Sequence, residues 1–154
     1  MNKLKNNSIL VISDNADVGK DIVEKVKLLR ECDTIRVVSY IESISVLHTS
    51  QPSLILLYCA NSYSISIVNE IRKLKFLDKV PIIFIMDNFV EELLLYAFDN
   101  GVDDFFFLHD PDSIVLIRIF LTLQKAVLYK KTDTDKEILI SAGIIDKEDR
   151  KSVV

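Results

Sequence analysis

Glycine is scarce in this chain. Only three occur among 154 residues, together with three prolines and no tryptophan. A phosphate-cradling loop needs clustered glycines so that backbone N–H groups can close on the anion, and no glycine-rich phosphate loop is present. A nucleotide-using enzyme therefore has no support here, and no catalytic residue is assigned. Cysteine is equally sparse: Cys32 and Cys59 have neither CxxC spacing nor clustered histidines, and both are read as structural thiols. Cationic excess is missing too. The 19 Lys and Arg are outnumbered by 23 Asp and Glu, the net charge is −4, and both signs are scattered, so no basic face for direct nucleic-acid or anionic-membrane contact is expected. No apolar run approaches the roughly 18 residues of a membrane span, and "MNKLKNNSIL" has no signal-peptide cleavage pattern, so a cytoplasmic location is expected.

What the chain does have is alternation. With 49% hydrophobic residues it suits one globular core, and short β-branched runs alternate with longer amphipathic stretches, as in a parallel sheet with crossover helices. Strands are read at Ser8 to Ser13, Thr34 to Ser39, Ser53 to Tyr58, Pro81 to Met86 and Asp104 to Leu108. The first, third and fourth are nearly continuous apolar runs, which suits strands covered on both faces. Helical spacing joins Val18, Ile22, Val26 and Leu29, then Ile67, Ile71 and Leu74, and a long last helix is read from Ile114 to Leu128 with Pro111 in its first turn. Asn100-Gly101 supplies a left-handed stop before the fifth strand. The fold class is α/β, a (βα)5 doubly wound parallel sheet of flavodoxin-like shape.

In such a sheet chemistry sits beyond the carboxyl ends of the strands, which points to Ser13-Asp14, Tyr58, Met86-Asp87 and Leu108-His109. The blocks "ILVISDNADV", "PSLILLY", "VPIIFIM" and "NGVDDFFFLH" together resemble the bacterial two-component response-regulator receiver domain, the CheY-like family, over about residues 8 to 129. The resemblance implies a three-layer sandwich whose chemistry is phosphoryl transfer to an aspartate that ends the third strand. That chemistry needs a carboxylate nucleophile, a divalent cation on further carboxylates and a cationic group for the phosphoryl oxygens. The resemblance places the phosphoacceptor on Tyr58, the paired acids on Ser13 and Asp14, and the switch positions on Met86, Phe105 and Leu108, the last standing for the lysine. Only Asp14 keeps the expected residue type. A phenol cannot form an acyl phosphate, and one carboxylate is a poor magnesium site.

The reading that follows is a pseudo-receiver, degenerate at the phosphorylation site and active through protein–protein contact, with no cofactor and no metal. Tyr58, Met86 and Leu108 are expected to converge and fill the vacated site, Tyr58 as a plug; a kinase-modified or ligand-binding Tyr58 stands as the alternative. Asp14 and Asp87 are read as helix caps or solvated carboxylates, and His48 and His109 are given no catalytic role. The resemblance directs a protein partner or homodimer to the fourth helix, fifth strand and fifth helix. Leu94, Ala97 and Phe98 are assigned to the core, leaving Leu93, Tyr96, Ile117 and Phe120 as interface candidates. Residues 1–130 are read as the receiver-like domain and 131–154 as a charged linker with a short tail, "KKTDTDK" running into "EILISAGII". "GIIDKEDR" is similar to the opening of diguanylate cyclase domains but lacks their catalytic block. Two alternatives stay open: a small-molecule sensor using the remodelled pocket, and the input end of a longer regulator such as a diguanylate cyclase.

Overall fold

The computed structural model describes residues 7–29 and 32–141, with side chains over 8–29 and 35–126. Strands β1 (Asn7–Ile12), β2 (Cys32–Val38), β3 (Leu54–Tyr58), β4 (Ile82–Met86) and β5 (Asp104–Phe107) alternate with helices α1 (Ala16–Val26), α2 (Tyr40–Thr49), α3 (Tyr63–Arg72), α4 (Glu91–Asp99) and α5 (Asp112–Ser141). All paired strands are parallel, in the order β2-β1-β3-β4-β5. The (βα)5 reading is therefore met, and each strand lies within two residues of its expected bounds.

Period-2 alternation splits the core into two layers. Ile9, Val11, Leu54, Leu56, Tyr58, Ile83, Ile85 and Phe106 face α1 and α5, where Ile22, Val26, Val115, Ile119 and Leu123 meet them. Leu10, Ile12, Ile55, Leu57, Phe84 and Met86 face α2, α3 and α4. Every residue of β3 and β4 is buried, which is why both read as unbroken apolar runs. Each fully buried Leu or Ile contributes about 1.5–3 kcal/mol relative to exposure.

Helix starts follow local chemistry. Asn15 caps α1 by accepting from the Asp17 and Val18 N–H groups, and Ser39 with Glu42 forms a capping box on α2. After α4, Gly101 takes φ +110°, the left-handed stop expected there. The turn is locked by Arg72 from α3, whose guanidinium donates to the carbonyls of Gly101, Leu77 and Val80 and pairs with Asp103 at 3.0 Å. Two expectations shift. Pro111 stands one residue before α5 instead of inside its first turn, its carbonyl accepting from the Ile114 and Val115 N–H groups. The backbone of α5 runs unbroken through the stretch read as a linker to Ser141, because nothing between Lys130 and Ser141 is a proline or glycine that would stop it. The remainder of "EILISAGII" and the last residues lie outside the described part.

Candidate functional site

The carboxyl edge of the sheet is where β1, β3 and β4 deliver the candidate residues, and each side chain there already has a partner. Ser13, buried after β1, turns its hydroxyl back on its own loop, donating to the Asn15 carbonyl at 2.9 Å and accepting the Asn15 N–H at 3.1 Å. Asp14 is exposed and its Oδ1 accepts the Tyr40 N–H at 2.8 Å, so the carboxylate serves the start of α2. Tyr58 is 6% exposed at the end of β3, and its hydroxyl donates to Asp87 Oδ2 at 2.5 Å. Burial first, then this bond to a carboxylate, pushes the phenol up to about 12. It is protonated at neutral pH and is no nucleophile there.

Only part of the expected convergence exists. Leu108 packs against the same layer as Tyr58, and its N–H donates to the Met86 carbonyl at 2.8 Å. Met86 itself belongs to the opposite layer, buried with Phe84 and Leu57 beneath α2, α3 and α4. The reason is strand parity: Tyr58 pairs in register with Ile85, so the next residue on β4 points the other way. Met86 therefore does not share Tyr58's volume.

Two residues central to this edge escaped the sequence reading, and a third was named there without the role it has. Tyr40, the first residue of α2, is buried, and its hydroxyl donates to the Tyr58 carbonyl and lies 2.7 Å from Ser64 Oγ. Ser64 is fully buried. Asp87, considered only as a cap or a solvated carboxylate, anchors Tyr58. Two tyrosines thus brace the end of β3, one from its backbone side and one through its own side chain. Nothing local in "SYIES" or "NSYS" signals contacts that span 18 and 24 residues. Burial also raises the Tyr40 phenol and the Cys59 thiol. Among the described residues no group of three His, Cys, Asp or Glu is placed to hold a metal ion. A cavity of about 790 Å³ lies at the other edge, among Asp78, Asp103, Leu121, Gln124 and Lys125.

The outer surface of α4, β5 and α5 has a different character. Six of the thirteen exposed large hydrophobic residues among those described fall here: Leu95, Tyr96 and Phe98 on α4, and Ile114, Ile117 and Leu121 on α5. Between them Phe105 meets Phe98 and Phe107 edge-on, and the Arg118 guanidinium lies 5.6 Å above its ring while pairing with Asp104 at 3.0 Å. Tyr96 and Ile117 are exposed as expected. Leu93 and Phe120 are not outward: both pack against the core layers, and Phe98, assigned to the core, is 40% exposed. On α4 the inner stripe runs through Leu93, Leu94 and Ala97, which rotates Phe98 to its margin, and on α5 Phe120 adjoins the Val115-Ile119-Leu123 stripe. His109 is exposed and its ring stacks on Phe107, while that of His48 lies beside Phe76.

No described helix is long and apolar enough to cross a membrane. No protein-family model matches the sequence, and no curated protein matches it. Solved structures do. The BeF3-activated N-terminal receiver domain of Klebsiella pneumoniae RstA superposes with a TM-score of 0.64 at 19% identity, covering 76% of this chain and 98% of that one. The receiver domain of a DNA-binding response regulator from Colwellia psychrerythraea gives 0.69 at 16%, over 77% and 99%. That of a modulated diguanylate cyclase from Desulfovibrio desulfuricans gives 0.66 at 15%, over 80% and 98%. The order of strands, the two helical layers and these superpositions agree: this chain has the fold of the CheY-like receiver domain of response regulators.

Proposed function

We propose that this chain is a pseudo-receiver, a receiver fold that signals by protein–protein contact and is not switched by aspartyl phosphorylation. One observation carries the reading: the end of β3 presents a buried, protonated tyrosine whose hydroxyl is held by Asp87. An acyl phosphate needs a carboxylate at that point. The supporting details agree, since Ser13 and Asp14 are engaged with their own surroundings and the residue that follows β5 is the uncharged Leu108. The RstA receiver was activated with BeF3; the edge described here offers that kind of ligand neither a carboxylate at the end of β3, where Tyr58 stands, nor a lysine at Leu108. No catalytic role, cofactor or direct nucleic-acid contact is assigned.

The working surface in this reading is the α4–β5–α5 face, and a two-fold pair or a protein partner covers Leu95, Phe98, Ile117 and Leu121. Burying several such side chains supplies several kcal/mol before association costs. Sedimentation tests it: the full chain is expected to sediment as a dimer and a Leu95→Glu, Ile117→Glu variant as a monomer. A dimer that survives both charges places the contact elsewhere. A second reading, the input end of a longer regulator, is favoured by α5, whose 30 residues extend about 45 Å, although its described core contacts end at Leu123. The similar Desulfovibrio domain belongs to a diguanylate cyclase. The small-molecule reading gains no support from the cavity described above, which lies at the far edge from Tyr58.

A further inference from the structure

Strand β5 lies at one end of the sheet, with β4 on one side and no strand on the other. Its sequence is "DFFF". Consecutive phenylalanines have high strand propensity, and an open edge of that kind is a template on which a further strand can form. Residues along a parallel strand turn their N–H and C=O groups alternately toward and away from a neighbour. The Leu108 N–H donates to the Met86 carbonyl at 2.8 Å, which sets Phe106 and Leu108 toward β4 and leaves Phe105 and Phe107 facing outward.

Those outward groups are already taken. The Phe105 N–H donates to Asp104 Oδ1 at 2.8 Å, and the Phe107 N–H donates to Asp110 Oδ2 at 2.9 Å. The Phe107 carbonyl accepts the Asp110 backbone N–H at 3.0 Å. Both outward N–H groups and one of the two outward carbonyls therefore have partners, and the two side-chain acceptors are carboxylates, whose bonds are stronger than those between amides. Each acid is fixed from a helix. Arg118 on α5 donates to both oxygens of Asp104, at 3.0 and 3.4 Å, while its guanidinium covers the Phe105 ring. Lys25 on α1 donates to the Asp110 carbonyl at 3.3 Å and pairs with Asp112 at 2.9 Å.

We propose that Asp104 and Asp110 lock the free edge of β5 against strand addition, so that contact on the α4–β5–α5 face is made by side chains and not by extending the sheet. An incoming strand has to break a charge-assisted bond for each outward N–H it gains, whereas side chains on α4 and α5 can dock with the lock intact. Arg118 and Lys25 are positioning residues for the two acids. The lock is a property of β5 itself and holds whether that face binds a second copy, another protein or nothing.

The test uses chains that carry Leu95→Ser and Ile117→Ser, which remove the apolar face without adding charge beside β5; sedimentation of this background alone reports separately on the partner face. Two double variants are compared within it. Asp104→Ala with Asp110→Ala removes both acceptors, while Asp104→Asn with Asp110→Asn sheds the same two charges and keeps an acceptor oxygen on each side chain. The Ala pair is expected to associate increasingly with concentration, as freed edges pair with one another, and the Asn pair to match the background. If thermal melting shows that the Ala pair does not fold, Asp104→Ala against Asp104→Asn carries the same comparison. Amide hydrogen exchange reads the lock directly: in the native chain the Phe105 and Phe107 amides are expected to be protected, and Asp104→Ala and Asp110→Ala each to speed exchange at its own partner by about tenfold or more. Native amides that exchange at unprotected rates, an Ala variant that stays at the size of the background, or an Asn variant that associates as strongly as its Ala counterpart overturns the proposal.

Discussion

Tyr58 ends β3, and its surroundings decide what it does there. The ring is enclosed in the layer beneath α1 and α5, while the hydroxyl reaches exposed Asp87. Tyr58→Ala is expected to destabilise the fold by about 3 kcal/mol, the scale of large aromatic truncations in cores, measured by denaturant unfolding. Tyr58→Phe removes only the bond to Asp87, whose carboxylate can turn to water, and is expected to cost about 1 kcal/mol. The pH dependence has a definite sign. A phenol whose value rises from 10.0 to about 12 on folding keeps its proton in the native state while the unfolded chain loses its own. The stability it contributes is intact below pH 10 and is lost as pH rises through about 12. The wild-type protein is therefore expected to lose stability across that interval more steeply than Tyr58→Phe.

At the scale of elements, the turn between α4 and β5 depends on one half-buried cation. Arg72 supplies hydrogen bonds to three carbonyls from two different connections, and burial lowers its guanidinium from the ordinary value. Arg72→Met leaves those carbonyls unpaired and is expected to cost about 3 kcal/mol, read by chemical denaturation. Gly101→Ala is expected to cost about 2 kcal/mol, since a Cβ there would sit 2.8 Å from Arg72 Cγ on a backbone with φ +110°. The elements themselves were legible in the sequence because buried parallel strands and amphipathic helices write their burial into periodicity. β3 and β4 are uniformly apolar, and the Ile22–Val26 and Ile67–Ile71 spacings mark the inner faces of α1 and α3. Orientation within elements was less legible. Phe98, Leu93 and Phe120 differ from true interior or exterior positions by a rotation of about one residue, which spacing on a short, largely apolar helix does not resolve. Met86 was misplaced for a related reason, since adjacency in a motif says nothing about strand parity. Arg72, Tyr40 and Ser64 left no signal because their partners are remote in sequence.

For the molecule as a whole, the proposed pseudo-receiver divides the surface by job. Its exposed apolar side chains on α4 and α5 are the proposed partner face, and its carboxyl edge, braced by Tyr40, Tyr58 and Asp87, is proposed to need no phosphoryl group. A domain that is not switched in this way keeps one oligomeric state and one set of amide environments whatever phosphodonor is present. The most direct measurement is incubation with acetyl phosphate and magnesium, followed by intact mass and an amide correlation spectrum of the same sample. The account predicts an unchanged mass and unchanged amide positions around Ser13, Tyr58 and Leu108. A stoichiometric, acid-labile phosphate adduct accompanied by shifts at those positions would contradict it.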